Sequence, residues 1–299
     1  MTAGRLSGQG SRTAQDRLRR AIDDAVATLA AAGIDTPRVD AELLAAHIAG
    51  VDRGRLRFHE PDEPFFGRYH DVIDARARRI PLQHLTSTVA FGPVLLTVGP
   101  GVFIPRPETE SMLEWALAQQ LPQQEAGQSD RPLIVDLCTG SGALAVALAV
   151  ANPGARIVAV DDSAEALAYA RRNSAATAVE LIEADVTAPD LLADYDGAVD
   201  LVVANPPYIP DGAQLEPEVA QHDPVHALFG GPDGMRVIGP IVGLAARLLR
   251  PGGRVAVEHD DTTADATTAL FVDAGGFTDV VSRRDLAGRP RFVTAMRAG

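Results

Sequence analysis

Hydrophobic and polar positions alternate in two regimes along the chain. Over residues 13–32 the apolar positions Leu18, Ile22, Val26 and Leu29 recur at three- and four-residue spacing, which predicts an amphipathic helix. The same spacing predicts a second helix over residues 38–48, carried by Val39, Leu43, Leu44 and Ile48, and a third near residues 65–79. Residues 1–81 are therefore expected to form a small helical domain. Over residues 82–103 short apolar stretches are broken by Gly92, Gly99, Pro100 and Gly101, which suits a hairpin connector extending to residue 107. Residues 108–121 return to helical spacing, and the polar stretch 122–131 reads as a surface loop.

Beyond residue 131 strands and helices alternate. Val-, Ile- and Leu-rich runs at residues 133–137, 156–160, 179–183, 201–204 and 254–258 are separated by helical patterns at 143–151, 164–175 and 236–250. Such runs indicate an α/β domain over residues 108–299, its parallel sheet covered on both faces. Two last strands, 277–281 and 292–296, are joined by too few residues for a helical crossover, so an antiparallel final pair follows.

Composition narrows the class. With 46% hydrophobic and 22% charged residues among 299, the chain lies far from compositions that stay disordered. No apolar run approaches the roughly 20 residues of a membrane helix, and the N-terminal residues are polar, so a cytoplasmic protein without membrane contact is expected. Cys138 is the one cysteine, which excludes an intrachain disulfide and a cysteine-based zinc site. The first 80 residues carry 13 Arg against 12 acids, so the remaining 14 Arg face 28 acids and most of the net charge of -13 lies there. That surface repels a phosphate backbone, and direct nucleic-acid binding is not expected.

The chemistry concentrates at the ends of the strands. The first strand of the α/β region runs into Asp136-Leu137-Cys138-Thr139-Gly140-Ser141-Gly142. Gly140 and Gly142 allow close approach of a ligand to the main chain, and the following helix offers its N-terminal N–H groups. Asp161 ends the next strand, where a carboxylate accepts hydrogen bonds from ribose hydroxyls. This spacing alone also fits a dinucleotide fingerprint. Asp136, four residues before the first glycine, favours a nucleoside carrying a methionine moiety, because a carboxylate at the strand's C-terminal end can pair with its ammonium, whereas dehydrogenases usually keep that position apolar. After the third strand, Asp185 and Val186 are candidates for the adenine amino group and ring, the alternative being a solvated loop acid.

Asn205-Pro206-Pro207-Tyr208 leaves the fourth strand beside this loop. The prolines restrict the backbone and turn the Pro206 carbonyl outward. That carbonyl and the Asn205 side-chain oxygen form a pair of acceptors for the two hydrogens of an NH2 group, and Tyr208 offers a face for a flat group. In an amide or exocyclic amine the nitrogen lone pair is delocalised. Holding both hydrogens in a more tetrahedral geometry turns the lone pair toward a sulfonium methyl, so catalysis is mostly alignment, with neither metal nor dedicated base. A bare Pro-Pro turn would explain the prolines but not the flanking Asn and Tyr.

These motifs, with Phe103-Ile104-Pro105-Arg106-Pro107-Glu108-Thr109-Glu110 in the connector and Glu258-His259 after the fifth strand, resemble the release factor glutamine methyltransferase family, particularly its actinobacterial members. The resemblance covers nearly the whole chain. It implies a class I methyltransferase Rossmann-like sheet behind an N-terminal helical substrate-recognition domain. It also implies S-adenosylmethionine as methyl donor with S-adenosylhomocysteine as product, held by Cys138, Thr139, Gly140, Ser141, Gly142 and Asp161. Asn205, Pro206, Pro207 and Tyr208 would bind the substrate glutamine, in the Gly-Gly-Gln motif of peptide chain release factors. The chain departs from the family at Cys138 and Ser87, where glycine is frequent, and at Val186, where some members place Trp. Arg106 is expected either to form an ion pair with Glu108 or Glu110 or to help position the cofactor helix or substrate loop, and Glu258 and His259 to be a capped or satisfied pair. An amino-methyltransferase acting on a nucleic-acid base or on another protein glutamine, a non-catalytic nucleoside-binding scaffold and a nicotinamide-dependent oxidoreductase are the competing readings.

Overall fold

The structure, a computed structural model, describes residues 6–121 and 131–299; the loop expected at 122–131 lies, apart from Arg131, outside them. The chain divides into two compact units, one built from residues up to Ser87 together with Glu216–His222, the other from Thr88–Leu215 and Asp223–Gly299.

The first unit consists of α1 (Leu6–Ala31), α2 (Pro37–Ala49), α3 (Glu63–Ala77) and α4 (Leu82–Thr86), with the returning α8 (Pro217–His222). Pro37 opens α2 and Gly50, in the left-handed region, closes it, while the Asp62 side chain caps α3 by accepting from the Phe65 N–H at 2.9 Å. The helices pack Leu18, Ile22 and Leu29 against Leu44, Phe65, Tyr69 and Ile73, whereas of the stripe read for the second helix only Leu44 is buried, Val39 being exposed and Leu43 and Ile48 half-buried. Within this core Arg76 pairs with Asp40 at 2.7 Å and with Glu218 of α8 at 3.0 Å. Leu82 and Leu85 pack on the same core, so residues 82–86 belong to the helical unit and the hairpin is shorter than the 82–107 expected. It comprises β1 (Thr88–Phe91) and β2 (Val94–Thr97), paired antiparallel.

The second unit continues with α5 (Glu110–Leu117), β3 (Leu133–Leu137), α6 (Ala143–Ala151), β4 (Arg156–Asp161), α7 (Ala164–Asn173), β5 (Val179–Glu183) and β6 (Val199–Ala204). After α8 come α9 (Ile238–Leu248), β7 (Leu249–Glu258), α10 (Ala264–Ala274), β8 (Phe277–Arg284) and β9 (Pro290–Arg297). The seven strands lie in the order β5-β4-β3-β6-β7-β9-β8, parallel except where β9 runs antiparallel to both neighbours. Alternation along a strand sorts its side chains between two cores. Val135 and Leu137 face the helix pair α9 and α10, while Ile134 faces α5 and α6. The order reverses between β4 and β6 on either side of β3, which opens a crevice at the carboxyl ends of these strands. No helix among the described residues is long and apolar enough to cross a membrane.

Candidate functional site

The crevice holds a cleft lined by the ends of β3, β4, β5 and β6 and by the segments after the hairpin and after α8. Asp136, Cys138, Thr139, Gly140, Ser141, Asp161, Asp185, Val186, Asn205, Pro206, Pro207 and Tyr208 all line it. Gly142 does not: it caps α6 with φ 84°, and a Cβ there would lie 3.4 Å from Ala170 of α7. Its glycine serves the turn and the close packing of two helices.

Asp136 is completely buried. One carboxylate oxygen, Oδ2, accepts from the Thr139 hydroxyl at 2.6 Å and the Ala145 N–H at 3.1 Å; the other, Oδ1, has no partner. Burial pushes the carboxyl up to about 7, against those two hydrogen bonds and with the help of nearby Asp161. A buried carboxylate oxygen without a partner at the wall of a cleft is a receptor for a cation. Asp161 has both oxygens engaged by backbone, Oδ2 accepting from Gly140 N–H at 2.7 Å and Oδ1 from Ser163 N–H at 3.0 Å. Burial raises its carboxyl, and these N–H groups resist the rise. Asp185 is exposed, and its Oδ1 accepts from the Thr187 N–H and hydroxyl, which hold the carboxyl below its usual range. Val186 is buried beside it.

Cys138 and Ser87, the two departures from glycine, both have left-handed backbones, with φ 60° and 57°. Such geometry costs a side-chain-bearing residue about 1–2 kcal/mol. A glycine at either position would be relieved of it and would lose about 0.4–1 kcal/mol to extra freedom of the unfolded chain. Cys138→Gly and Ser87→Gly are therefore each expected to stabilise the protein by about 0.5–1 kcal/mol, read as a rise in the urea midpoint; a fall at either position contradicts the strain assigned to it. Burial and the surrounding acids Asp161, Asp136, Asp162 and Asp185 push the Cys138 thiol well up, which keeps it protonated and unreactive at neutral pH.

The segment 205–208 is braced from beneath. Ile209 exchanges backbone hydrogen bonds with Leu228 and Gly230, both 2.9 Å. The carbonyls of Pro207 and Tyr208 are turned against Gly230 and Gly234, where a Cβ would come within 2.6 and 2.3 Å of them. The Asn205 side-chain nitrogen donates to the Thr109 hydroxyl at 3.3 Å, which leaves its Oδ1 for the cleft. Tyr208 donates its phenol hydrogen to Glu258 Oε1 at 2.9 Å, anchoring the far end of its ring. Burial, with Glu258 beside it, drives the phenol well above its ordinary range.

Two expectations need correction. Arg106 pairs with Asp223 rather than with Glu108 or Glu110, and its guanidinium stacks 4.9 Å from the Phe103 ring centroid. Asp223 reaches the guanidinium from the segment directly after α8. Glu258 and His259 are not a satisfied pair: Glu258 Oε2 and His259 Nε2 are both buried without a hydrogen bond partner, and His259 Nδ1–H donates to the Asp260 carbonyl at 2.8 Å. The last residue of β7 alternates away from its successor, so their side chains leave the backbone in opposite directions.

Several cleft residues had no individual assignment from the sequence, among them Thr109, Phe103 and His226. Thr109 lies inside the connector stretch 103–110, where its hydroxyl between two acids was the available signal. Phe103 and His226 also line the cleft, and a lone His between Val225 and Ala227 carries no pattern that would single it out.

Comparison with known proteins identifies the family of the chain. The Methyltransferase small domain family matches residues 114–223, and the PrmC N-terminal domain family matches residues 20–86. A release factor glutamine methyltransferase of Mycolicibacterium smegmatis is 66% identical over 94% of this chain and 98% of its own length. Proteins of the same description from Mycobacterium tuberculosis and Mycobacterium leprae are 67% and 62% identical, each over 94% of this chain and over 92% and 97% of their own lengths.

Proposed function

Because the chain belongs to the release factor glutamine methyltransferase family, we propose that it transfers a methyl group from S-adenosylmethionine to the side-chain amide nitrogen of a release-factor glutamine, the one in the Gly-Gly-Gln motif. The single observation that supports this most is the orientation of Asn205, whose amide nitrogen is held by Thr109 so that its oxygen is left to accept a hydrogen from a substrate NH2.

The cleft fits the donor. Asp136 Oδ1, buried and without a partner, suits the ammonium of the methionine moiety, and Asp161, pinned by two backbone N–H groups, suits the ribose hydroxyls. Gly140, with φ 58° and open space where a Cβ would stand, lets a ligand lie against the main chain. Thr139, Ser141 and Cys138 form the remainder of that wall, and Val186 with Asp185 borders the end assigned to adenine. When bound, the cofactor supplies an electrophilic methyl on sulfur.

The protein's own part is to hold and orient the nucleophile. Asn205 Oδ1 and the Pro206 carbonyl accept the two amide hydrogens, and Tyr208 packs against the amide plane. Holding both hydrogens draws electron density onto nitrogen and opposes its conjugation with the carbonyl. Positive charge that develops on nitrogen is stabilised by the same two acceptors, which are already in place before reaction. The product nitrogen then sheds its proton to solvent. The helical unit is proposed to recognise the surface of the release factor.

Purified protein incubated with methyl-labelled cofactor is expected to label a release factor, and a Gln→Ala change in its Gly-Gly-Gln motif is expected to abolish the label. Labelling that survives the change, or that goes to DNA or RNA under the same conditions, overturns the proposal in favour of another protein site or a base.

A further inference from the structure

Two segments of the cleft wall are tied to α7 by one side chain. Asn173, the last residue of that helix, accepts at Oδ1 from the Thr97 N–H at 2.7 Å and donates from Nδ2 to the Thr97 carbonyl at 3.0 Å and to the Ser141 carbonyl at 2.9 Å. These partners admit a single orientation of the amide. Turned over, it would set its oxygen against two carbonyls and its NH2 against an N–H. An aspartate of the same shape keeps the first bond and, when ionised, neither of the others.

Both segments shape the cleft, although Asn173 does not line it. Ser141 belongs to the wall that also holds Cys138, Thr139 and Gly140. The glycines on either side of it have positive φ, 58° and 84°, and glycine is permissive enough that the peptide following Ser141 relies on its hydrogen bonds for its orientation. Its N–H end is held within the loop, Gly142 donating to the Thr139 carbonyl at 2.9 Å, and its carbonyl end is held by Asn173. That second bond directs a partial negative charge at α7, and so keeps it from a cleft that already carries the buried carboxyls of Asp136 and Asp161. Thr97 ends β2, and Asn173 takes both of its backbone groups as a neighbouring strand would. The chain beyond Thr97 enters the cleft as Gly101, Val102, Phe103 and Pro105. Val98 and Val102 pack on Ala166 of α7, and Tyr169 donates to the Pro100 carbonyl at 3.2 Å.

We propose that Asn173 is a positioning residue for the methyl donor: from outside the cleft, one amide sets the Ser141 carbonyl and fixes the connector against the same helix, so the loop holds its binding shape before cofactor arrives. The inference rests on the reading of the cleft as the S-adenosylmethionine site and adds a residue to it. Its effect is carried through Ser141 and Thr97.

Three substitutions separate this role from packing. Asn173→Asp keeps the shape and the bond from the Thr97 N–H but loses both donors; Asn173→Ala loses all three bonds; Tyr169→Phe releases the connector alone, at Pro100. With each net bond worth about two- to tenfold, affinity for S-adenosylhomocysteine, read by calorimetry, is expected to fall at least about fivefold in Asn173→Ala. Asn173→Asp is expected to lose at least as much, because its carboxylate faces two carbonyls. In both, KM for S-adenosylmethionine is expected to rise in step, while KM for the release factor at saturating cofactor stays within about twofold of wild type. Tyr169→Phe is expected to bind S-adenosylhomocysteine within about twofold of wild type, whatever its urea midpoint loses.

Unchanged affinity in folded Asn173→Asp overturns the inference. So does an Asn173→Asp milder than Asn173→Ala, the order that a packing role predicts. A loss in Tyr169→Phe equal to that in Asn173→Asp moves the effect from Ser141 to the connector and overturns it as well. If neither Asn173 variant folds, the residue serves the fold and the inference fails. Wild type that binds S-adenosylhomocysteine without labelling a release factor refutes glutamine methylation, while the affinities still decide this inference; wild type that binds no S-adenosylhomocysteine refutes both.

Discussion

Asn205→Ala is expected to lower glutamine methylation about 10²- to 10³-fold in kcat while S-adenosylhomocysteine still binds within about twofold of wild type, the range found when one preorganised polar contact to a developing charge is removed. The effect is differential. Asn205 lies at the wall of the cleft held through its nitrogen by Thr109, and its oxygen gains most when an NH2 group loses conjugation and takes on positive charge. Alanine leaves the strand end and the prolines intact, and the brace from Gly230 and Gly234 beneath the segment does not depend on the side chain. Stopped-time assays at saturating cofactor and release factor read the change. A variant with unaltered kcat would remove Asn205 from the chemistry.

Asp136→Asn is expected to weaken cofactor binding by about 2–4 kcal/mol, roughly 30- to 1,000-fold, because it deletes one partner of a buried charge pair. Its pH dependence is the sharper expectation. In the protein without cofactor, burial holds the Asp136 carboxyl at about 7, and the protonated form offers no charge to an ammonium. Binding favours the ionised form. Affinity for S-adenosylhomocysteine is therefore full above about pH 7 and weakens as pH falls through that value, approaching roughly tenfold per pH unit in the acid limb. In Asp136→Asn that limb disappears. The consequence for folding has the opposite sense: a carboxyl raised in the folded state contributes stability that is greatest in acid and is lost as pH rises through about 7. Bound cofactor reverses that loss, so the rise in Tm on adding S-adenosylhomocysteine is expected to be larger at about pH 8 than at about pH 6. Affinity that improves toward acid would contradict the assignment of Asp136 to the ammonium.

What the sequence made legible follows from how strongly each residue's environment writes on the pattern. Strands β3, β4 and β6 are buried on both faces nearly throughout, and their predominantly apolar runs identify them at once. Asp136 stands out because it interrupts such a run, and Asn205 because it directly follows one. α10 left no comparable mark: its Thr- and Asp-rich stretch buries only Thr267 and Phe271, four residues apart, too sparse a stripe to read as periodic. The end of α9 was read two residues too far because Leu249 and Arg250 continue a helical spacing, yet they open β7 with pairing to Val199. The return of α8 into the helical unit depends on Glu218 meeting Arg76, residues far apart along the chain, and no local pattern encodes that meeting.

The site divides the same way. Residues whose role is local in sequence, the loop 138–142 and segment 205–208, were recognisable from their own spacing. Thr109, Glu258 and Asp223 act across the fold on Asn205, Tyr208 and Arg106, so their partners become visible only in three dimensions. Gly142 shows the converse, since its place in a ligand-loop pattern suggested contact and its backbone angle and the adjacent α7 account for it.

The central claim is that the acceptors of segment 205–208 present a glutamine side-chain amide for methylation. Peptide mass spectrometry of a release factor after incubation with this protein and S-adenosylmethionine tests it most directly. The expected result is a single added methyl, fragmenting with the side-chain nitrogen of the glutamine in Gly-Gly-Gln. A methyl on any other atom of the release factor, or an unmodified release factor beside consumed cofactor, would contradict it.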